Sequence, residues 1–432
     1  MNRRRFSAAL AAGAATLPAW TPARAQFRVE ISGVGATQIP VAVARFRGED
    51  GAAPSLGVAS AIVRADLERS GLFRLVDAPA VIEETAQPSM SEWRGKGTDA
   101  LAGGSVSRLA DGRLDVRYKI WDVVRGQDLG GQSLAVPLAD MRLAAHRVAD
   151  AIYERFTGDK GVFATRIAYV TRASGSAGRY TLRIADADGE GGQVALDSPD
   201  AIISPAWSPE GRELAYVSFE SQKAVVWVQD VASGQRRKIA DYRGSNSAPA
   251  WSPDGQQLVL TLSRDGGSQL YAIARGGGTP RRLTQSAAID TEAAFAPDGR
   301  SIVFVSDRGG GPQIYRMAAG GGDAQRISFS GAYNISPALS PDGKTMAYVS
   351  RLASGAFRLH VMDLASGTVT GLTDTNDDES PSFAPNGKLI IYASRAQGRD
   401  VLMTTTLDGR IKARLLATGA DVREPVWGPF NR

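Results

Sequence analysis

Histidine is the side chain best suited to acid–base or metal chemistry near neutral pH, and this 432-residue chain contains two histidines and no cysteine. His146 falls in a predicted helix and His360 in a predicted strand, and neither is close in sequence to a cluster of acidic or nucleophilic residues. A zinc site would need carboxylate ligands that the sequence alone does not identify. We therefore expect both histidines to be structural, and we predict no metal site and no cofactor.

Signatures of other chemistry are also missing from the sequence. The stretch 131-GQSLA-135 comes nearest to the G-x-S-x-G elbow of hydrolases, but it lacks the final glycine. There is no phosphate-binding loop and no dinucleotide fingerprint, and glycine runs such as 276-GGG-278 separate predicted strands. The sequence predicts no catalytic residue and favours a protein that is not an enzyme.

The strongest pattern is a proline-containing turn that recurs every 44 residues, at Pro209, Pro253, Pro297, Pro341 and Pro385, with Pro429 in register. The best-defined copy is 251-WSPDG-255. Proline and aspartate favour the turn, and glycine accepts the positive φ that ends it, so we interpret the aspartates as turn residues rather than calcium ligands. A fixed period of this length is typical of propellers.

Each period reads as four short strands, which make one propeller blade. No opening strand comes before the first apolar run, 167-IAYVT-171, so the first blade is one strand short. The chain ends on an additional opening strand, 425-PVWGP-429, which has no blade after it. Pairing these two segments closes the ring and removes exposed strand edges. An open array or five blades would leave an unpaired half-blade at each end. The predicted fold class is multi-domain, with a small N-terminal α/β domain (residues 26–160) followed by a six-bladed β-propeller (residues 161–432) closed by the C-terminal strand.

Residues 26–160 lack the repeat and read as the α/β domain. Residues 39–46 and 72–76 are predicted strands, and residues 99–137 a three-stranded meander. Two predicted helices end on glycine, at residues 56–71 and 138–158.

The loops that enter the innermost strands converge, by blade geometry, at one mouth of the central channel. They carry small polar and acidic side chains, which suit a docking surface, although such residues also simply hydrate loop ends. The residues that we place in this ring are Ser245, Asn246, Thr291, Glu292, Asn334, Glu379 and Glu424.

Residues 1–25 read as an export signal, with Arg3, Arg4 and Arg5 before an apolar run and 23-ARA-25 as the cleavage site. The apolar run is too short for a stable membrane span, and RRRF matches a twin-arginine motif only in part, so both export routes stay open. Cleavage near Ala25 would remove four of the 50 basic residues and none of the 45 acidic ones. The rest of the chain is nearly neutral, which argues against nucleic-acid binding.

The segment 27-FRVEISGVGATQIPVAVARF-46, the six blades and the ending 407-LDGRIKARLLATGADVREPVWGP-429 together resemble the TolB family of the Tol–Pal system. This resemblance covers essentially the whole chain after residue 25. It implies a monomeric periplasmic adaptor with no enzymatic activity and no membrane span, which supports outer-membrane integrity and constriction during cell division.

The resemblance also implies two partners. The propeller mouth would bind the lipoprotein Pal, and the positions that match this contact best are Ser245, Asn246, Ala248, Thr291 and Glu292, with Ser245 standing where we expect a histidine in relatives. The N-terminal strand would bind TolA through Gln26, Phe27, Arg28, Val29, Glu30, Ile31, Ser32 and Gly33.

The N-terminal strand has the apolar–polar alternation of a strand that adds to an exposed sheet edge. Alternatively it packs as the first strand of its own domain, or switches between the two states. Two other functions also stay open for the propeller: a hydrolase or lyase with its site in the channel, and a glycan-binding protein, for which Tyr333 is the one clear aromatic candidate.

Overall fold

The computed structural model describes residues 31–32, 38–52, 59–173, 178–415, 417 and 421–430. The predicted export segment and residues 26–30 and 33 of the predicted TolA segment lie outside the described residues.

The first part of the chain folds around one mixed sheet. A short strand that pairs elsewhere, β1 (Ile31–Ser32), comes before this domain. The elements of the domain are β2 (Ile39–Val43), α1 (Glu49–Ala52), α2 (Ala59–Arg69), β3 (Phe73–Val76), α3 (Met90–Gly95), β4 (Ala100–Arg108), β5 (Leu114–Asp122), β6 (Gln127–Val136), a 3-10 turn (Leu138–Asp140) and α4 (Met141–Thr157). The sheet order is β3-β2-β4-β5-β6, with β2 parallel to both of its neighbours and the other pairs antiparallel.

The core of this domain lies between the sheet and the two longer helices. Ile62 of α2 and Val148 of α4 are fully buried there, against the apolar face of the sheet. Trp93 of α3 is buried in a smaller cluster with Leu101 and Trp121. The α/β prediction is confirmed, whereas α1 and α3 were not predicted because helices of four and six residues are too short for a periodic apolar pattern.

The second part is a ring of six blades. Its strands are β7 (Arg166–Arg172), β8 (Tyr180–Asp186), β9 (Gln193–Ser198), β10 (Ile202–Trp207), β11 (Glu213–Ser218), β12 (Val225–Asp230), β13 (Arg236–Ala240), β14 (Asn246–Trp251), β15 (Gln257–Leu262), β16 (Gln269–Ala274), β17 (Arg281–Arg282), β18 (Asp290–Phe295), β19 (Ser301–Ser306), β20 (Gln313–Ala318), β21 (Gln325–Arg326), β22 (Asn334–Leu339), β23 (Thr345–Arg351), β24 (Phe357–Asp363), β25 (Val369–Gly371), β26 (Glu379–Phe383), β27 (Leu389–Ala396), β28 (Arg399–Thr406), β29 (Lys412–Arg414) and β30 (Asp421–Trp427).

The ring closes as predicted. One four-stranded sheet has the order β30-β7-β8-β9, so the last strand is the innermost strand of the first blade. Val422 pairs with Thr171 and Trp427 with Ile167 in this ladder. The blades pack face to face through clusters of buried apolar side chains, so the propeller core is distributed around the ring.

The recurring turn has a second role that the sequence did not reveal. In 251-WSPDG-255 the Ser252 hydroxyl donates to Asp254 Oδ1 at 2.6 Å, and Gly255 takes a φ of 68°, as expected of turn chemistry. In addition, the position of a Cβ on Gly255 lies 3.7 Å from Pro209, in the same turn of the preceding blade. The same contact joins Gly299 to Pro253 and Gly211 to Pro429. The motif therefore packs each blade against its neighbour.

The α/β domain contacts the end of the propeller where these turns lie. Asn386, in the turn after β26, donates to the carbonyl of Lys160 at 2.9 Å, and Lys388 pairs with Asp159 at 3.1 Å. The innermost strands start at the opposite end, which leaves the predicted mouth clear of the α/β domain. Within the part of the chain described, no helix is long and apolar enough to cross a membrane.

Candidate protein-interaction sites

The first residues of the six innermost strands surround one mouth of the channel. Each of these strands carries one non-glycine residue with positive φ, between 47° and 53°, and the six are Ser204, Ala248, Glu292, Ser336, Ser380 and Glu424. At each of them the ladder register shifts, which defines a β-bulge. Because L-residues avoid this conformation, the ring holds six strained positions, and strain of this kind is common at functional sites.

Three glutamates lie at this mouth, Glu292, Glu379 and Glu424, and two of them accept hydrogen bonds from a neighbouring blade. Glu292 Oε2 accepts hydrogen bonds from the Ser336 amide at 2.6 Å and the Ser336 hydroxyl at 3.1 Å, in the next blade. Glu424 Oε2 accepts from the Ser204 amide at 3.3 Å. Burial, with the charges of Glu379 and Glu292, raises the pKa of Glu424 to about 7. Burial also raises the pKa values of Glu292 and Glu379.

The other predicted mouth residues divide into accessible and buried ones. Ser245 is exposed, and Ala248 and Thr291 are partly exposed, so a partner can contact all three. Asn246 is fully buried, and its Nδ2 donates to the Ala224 and Tyr242 carbonyls at 3.1 and 2.9 Å.

Asn334 is fully buried too, and it donates to Gln313 Oε1 at 2.8 Å. The structure thus gives both asparagines a role in shaping the loops.

The short strand β1 lies on the propeller rather than in the sheet of the α/β domain. Ile31 pairs with Ala413 and Ser32 with Lys412, so β1 extends blade six outward from β29. The sheet order is β1-β29-β28-β27-β26, and Glu379 begins β26. One continuous sheet therefore connects β1 to the channel wall.

A cluster of charged residues lies between the α/β domain and the first blade. We call it the interdomain cluster, and it comprises Asp66, Arg69, Arg142, His146, Asp186, Asp188 and Glu190. His146 Nδ1 lies 2.6 Å from Asp66 Oδ2, and the histidine is 1% exposed. Arg142 bonds to Asp186, Asp188 and Glu190 at 3.0, 2.5 and 3.1 Å.

Charge compensation governs protonation in the interdomain cluster. Burial opposes a charge on His146, but Asp66, Asp186 and Asp188 outweigh it and raise the pKa of the histidine to about 10. Burial raises the pKa of the nearby Asp150 to about 7. This cluster could not be predicted from the sequence, because its members come from α2, α4 and the end of β8 with the β8–β9 turn, which only the fold brings together.

His360 contacts residues of its own blade. Its ring stacks on Tyr348 at 5.8 Å between centroids, and its Nδ1 lies 3.3 Å from the Arg358 carbonyl within the same strand.

Comparison with known proteins gives the same two-part organisation. The sequence profile of the TolB amino-terminal domain matches residues 27–129, and that of the TolB beta propeller domain matches residues 153–431. The Tol-Pal system protein TolB of Polaromonas sp. is 66% identical over 433 residues, with 100% of this chain and 99% of that protein covered. The protein of the same name from Dechloromonas aromatica is 61% identical over 428 residues, with 99% and 98% covered.

A solved structure agrees with these sequence relatives. The crystal structure of TolB from Acinetobacter baumannii superimposes with a TM-score of 0.85 at 38% identity, covering 93% of this chain and 99% of that one. The α/β domain, the closed six-bladed ring and these similarities along the whole chain lead to one conclusion: the chain belongs to the TolB family of the Tol–Pal system.

Proposed function

We propose that this protein is a non-enzymatic periplasmic adaptor, which binds Pal through the propeller mouth and TolA through residues 26–33. In this role it supports outer-membrane integrity and constriction during cell division. Family membership supports the two partners, and the geometry of the two surfaces supports their assignment. The observation that carries the Pal assignment is the accessible ring of inner-strand loops at the end of the propeller away from the α/β domain.

The chemistry of the mouth suits a protein partner. It presents Ser245, Ala248 and Thr291 beside three carboxylates with raised pKa values. Hydrogen-bonding loops on a rigid scaffold are typical of recognition surfaces. Asn246 and Asn334 would act indirectly, because their buried amides hold the loops in shape.

The Pal assignment is tested by calorimetric titration with the periplasmic domain of Pal. The combined substitutions Thr291→Arg and Glu292→Arg place two bulky cations at the mouth, so we expect the affinity to fall at least about tenfold. Asp323→Arg is the matched control, because Asp323 is exposed in the same blade at the opposite end and should leave the affinity unchanged. Equal binding by both variants would exclude the mouth as the Pal site.

The pairing of β1 supports the TolA assignment. Residues that extend a sheet edge through main-chain hydrogen bonds can make the same bonds to a partner's strand. The described ladder between β1 and β29 has two residue pairs, so β1 gives up little when it pairs with TolA instead. We therefore expect Ile31 and Ser32 to leave blade six when TolA binds.

Deletion of residues 26–33 tests this assignment. The truncated protein should lose binding to the TolA domain in a pull-down and by calorimetry, with an unchanged circular dichroism spectrum. TolA binding that survives the deletion at full strength would contradict the assignment.

A further inference from the structure

A crevice rich in arginine lies between the α/β domain and the propeller, at the end of the ring opposite the mouth. Its volume is about 860 Å³, and it is bounded by α4 on one side and by turns of the first three blades on the other. We call it the basic crevice. Its charged lining residues are the arginines Arg142, Arg147, Arg166, Arg212 and Arg275 and the acids Asp140, Asp186 and Glu210.

Two of the five arginines are already neutralised. Arg142 bonds to acidic residues of the first blade, as described above for the interdomain cluster. Arg275 lies 3.4 Å from Glu210 Oε2 and 2.9 Å from Glu213 Oε2. These contacts occupy Asp186 and Glu210, so Asp140 is the one carboxylate of the lining that is in no ion pair with a described residue.

The other three arginines of the basic crevice are not neutralised. Among the residues that the structure describes, no carboxylate forms an ion pair with Arg147, Arg166 or Arg212. The guanidinium of Arg166 lies over the Trp207 ring, 5.7 Å from its centre, which restricts its orientation. Three unpaired guanidinium groups therefore face one unpaired carboxylate, and guanidinium groups bind carboxylates in a two-pronged geometry.

The basic crevice continues into a second groove, of about 440 Å³, between the first two blades. The two share Arg166, Gln193, Gly211 and Arg212. The rest of the second groove is mainly apolar, and its lining includes Ile184, Val194, Ala195 and Val231. Val194 is 56% exposed, on the outermost strand of the first blade. The carboxylate of this groove, Asp230, accepts from the Ser233 amide and hydroxyl, both at 2.7 Å.

We propose that the basic crevice binds an acidic peptide segment of a partner protein. Carboxylates of the peptide would contact Arg147, Arg166 and Arg212, and an apolar side chain next to them would cover Val194. A small anion would need the arginines alone, whereas the apolar groove that shares two of them suits a chain with both kinds of side chain. This surface is separate from the mouth and from residues 26–33, so it adds a third site to the two proposed above.

The charges of the basic crevice make binding depend on salt. Single exposed ion pairs contribute little, so affinity must come from several arginines together with the apolar contact. Interactions between exposed charges are screened over about 10 Å at 0.1 M salt. We therefore expect the affinity for an acidic peptide to fall steeply between 50 and 500 mM NaCl.

Fluorescence anisotropy with the purified protein and a labelled peptide tests the proposal. The probe has six glutamates followed by two valines, and its two control peptides have glutamine in place of glutamate or lack the valines. We expect saturable binding of the probe in 50 mM NaCl, at least about tenfold weaker binding of the glutamine peptide, and about threefold weaker binding without the valines.

Three results with these peptides would overturn the proposal. The first is the absence of saturable binding of the probe at 0.5 mM protein. The second is equal affinity for the glutamine peptide, because the arginines would then play no part. The third is equal affinity for the peptide without valines, because the crevice would then attract any polyanion and the apolar groove would play no part.

Charge reversals at single arginines locate the bound peptide. Arg147→Glu and Arg212→Glu should each weaken probe binding at least about fivefold. Arg300→Glu is the matched control, because Arg300 is exposed at the corresponding position of the same turn two repeats later, outside the basic crevice. It changes the net charge by the same amount and should bind within about twofold of the wild type.

The comparison of Arg212→Glu with Arg300→Glu decides between a site and a general attraction. Equal losses in the two variants would overturn the proposal, because the peptide would then respond to the overall charge of the protein. Circular dichroism checks that both variants are folded. Binding of Pal by Arg212→Glu should equal that of the wild type, so this test stands apart from the assignment of the mouth.

Discussion

Single side chains at the mouth and at the domain boundary are held in unusual protonation states by burial and by their neighbours. Sequence reasoning could bring Glu292, Glu379 and Glu424 to one end of the propeller, because the repeat determines which loops meet. It did not reveal that Asn246 turns inward, since burial depends on the loop path. It also treated His146 as isolated, because its partners Asp66 and Asp188 are 80 and 42 residues away in the sequence.

At this scale we predict that Glu424 makes stability depend on pH. Its pKa is about 7 in the folded protein and near 4.5 when exposed, so folding takes up a proton between these values. The stabilisation is fully present below pH 4.5 and is lost as the pH rises through 7. Glu424→Gln should remove this pH-dependent contribution, which amounts to as much as about 3 kcal/mol in the free energy of unfolding.

Urea denaturation at pH 5 and pH 8 measures this effect. The wild type should lose more stability between the two pH values than Glu424→Gln does. Glu92→Gln, on the exposed surface of α3, is the control and should behave as the wild type. Parallel pH profiles for all three proteins would contradict the prediction.

Among the elements, the innermost strand of each blade departs most from regular structure. Its position and partner were predictable from the alternation of apolar residues and the 44-residue spacing. The bulge was not predictable, because serine, alanine and glutamate at these positions do not favour positive φ. The equivalent residue of every inner strand takes this conformation, so it belongs to the repeated backbone and not to one type of side chain.

A β-branched residue at a bulge should therefore destabilise the propeller. Valine is strongly disfavoured at positive φ, so Ala248→Val should lower the free energy of unfolding by about 1–2 kcal/mol. Ser247→Val, one residue earlier in the same strand, lies outside the positive-φ set and should cost less than about 0.5 kcal/mol. Chemical denaturation of the two variants measures the difference, and equal costs would show that the bulge carries no strain.

For the whole molecule, the join between β30 and β7 decides whether the propeller is a ring or an open array. We predict that cross-linking this join stabilises the protein more than cross-linking one blade internally. Disulfides formed by Thr171→Cys with Val422→Cys, and by Thr261→Cys with Leu270→Cys, link directly paired residues. The chain has no other cysteine.

The two links close loops of very different length. On chain-entropy grounds the first should add about 5 kcal/mol and the second about 2–3 kcal/mol. Melting temperatures of oxidised and reduced samples test the ranking. A larger gain from the link within the blade would show that opening of the ring does not limit thermal stability.

The pairing of β30 with β7 also determines when the propeller can close during synthesis. The strands β7 to β9 leave the ribosome about 250 residues before β30, an interval of roughly 12–50 s at usual elongation rates. During that time the first blade lacks its innermost strand and exposes an open edge, which is a template for aggregation. The α/β domain contacts this unfinished blade through Asp186, Asp188 and Glu190. The ring of blades therefore cannot close until nearly all of the chain has been made.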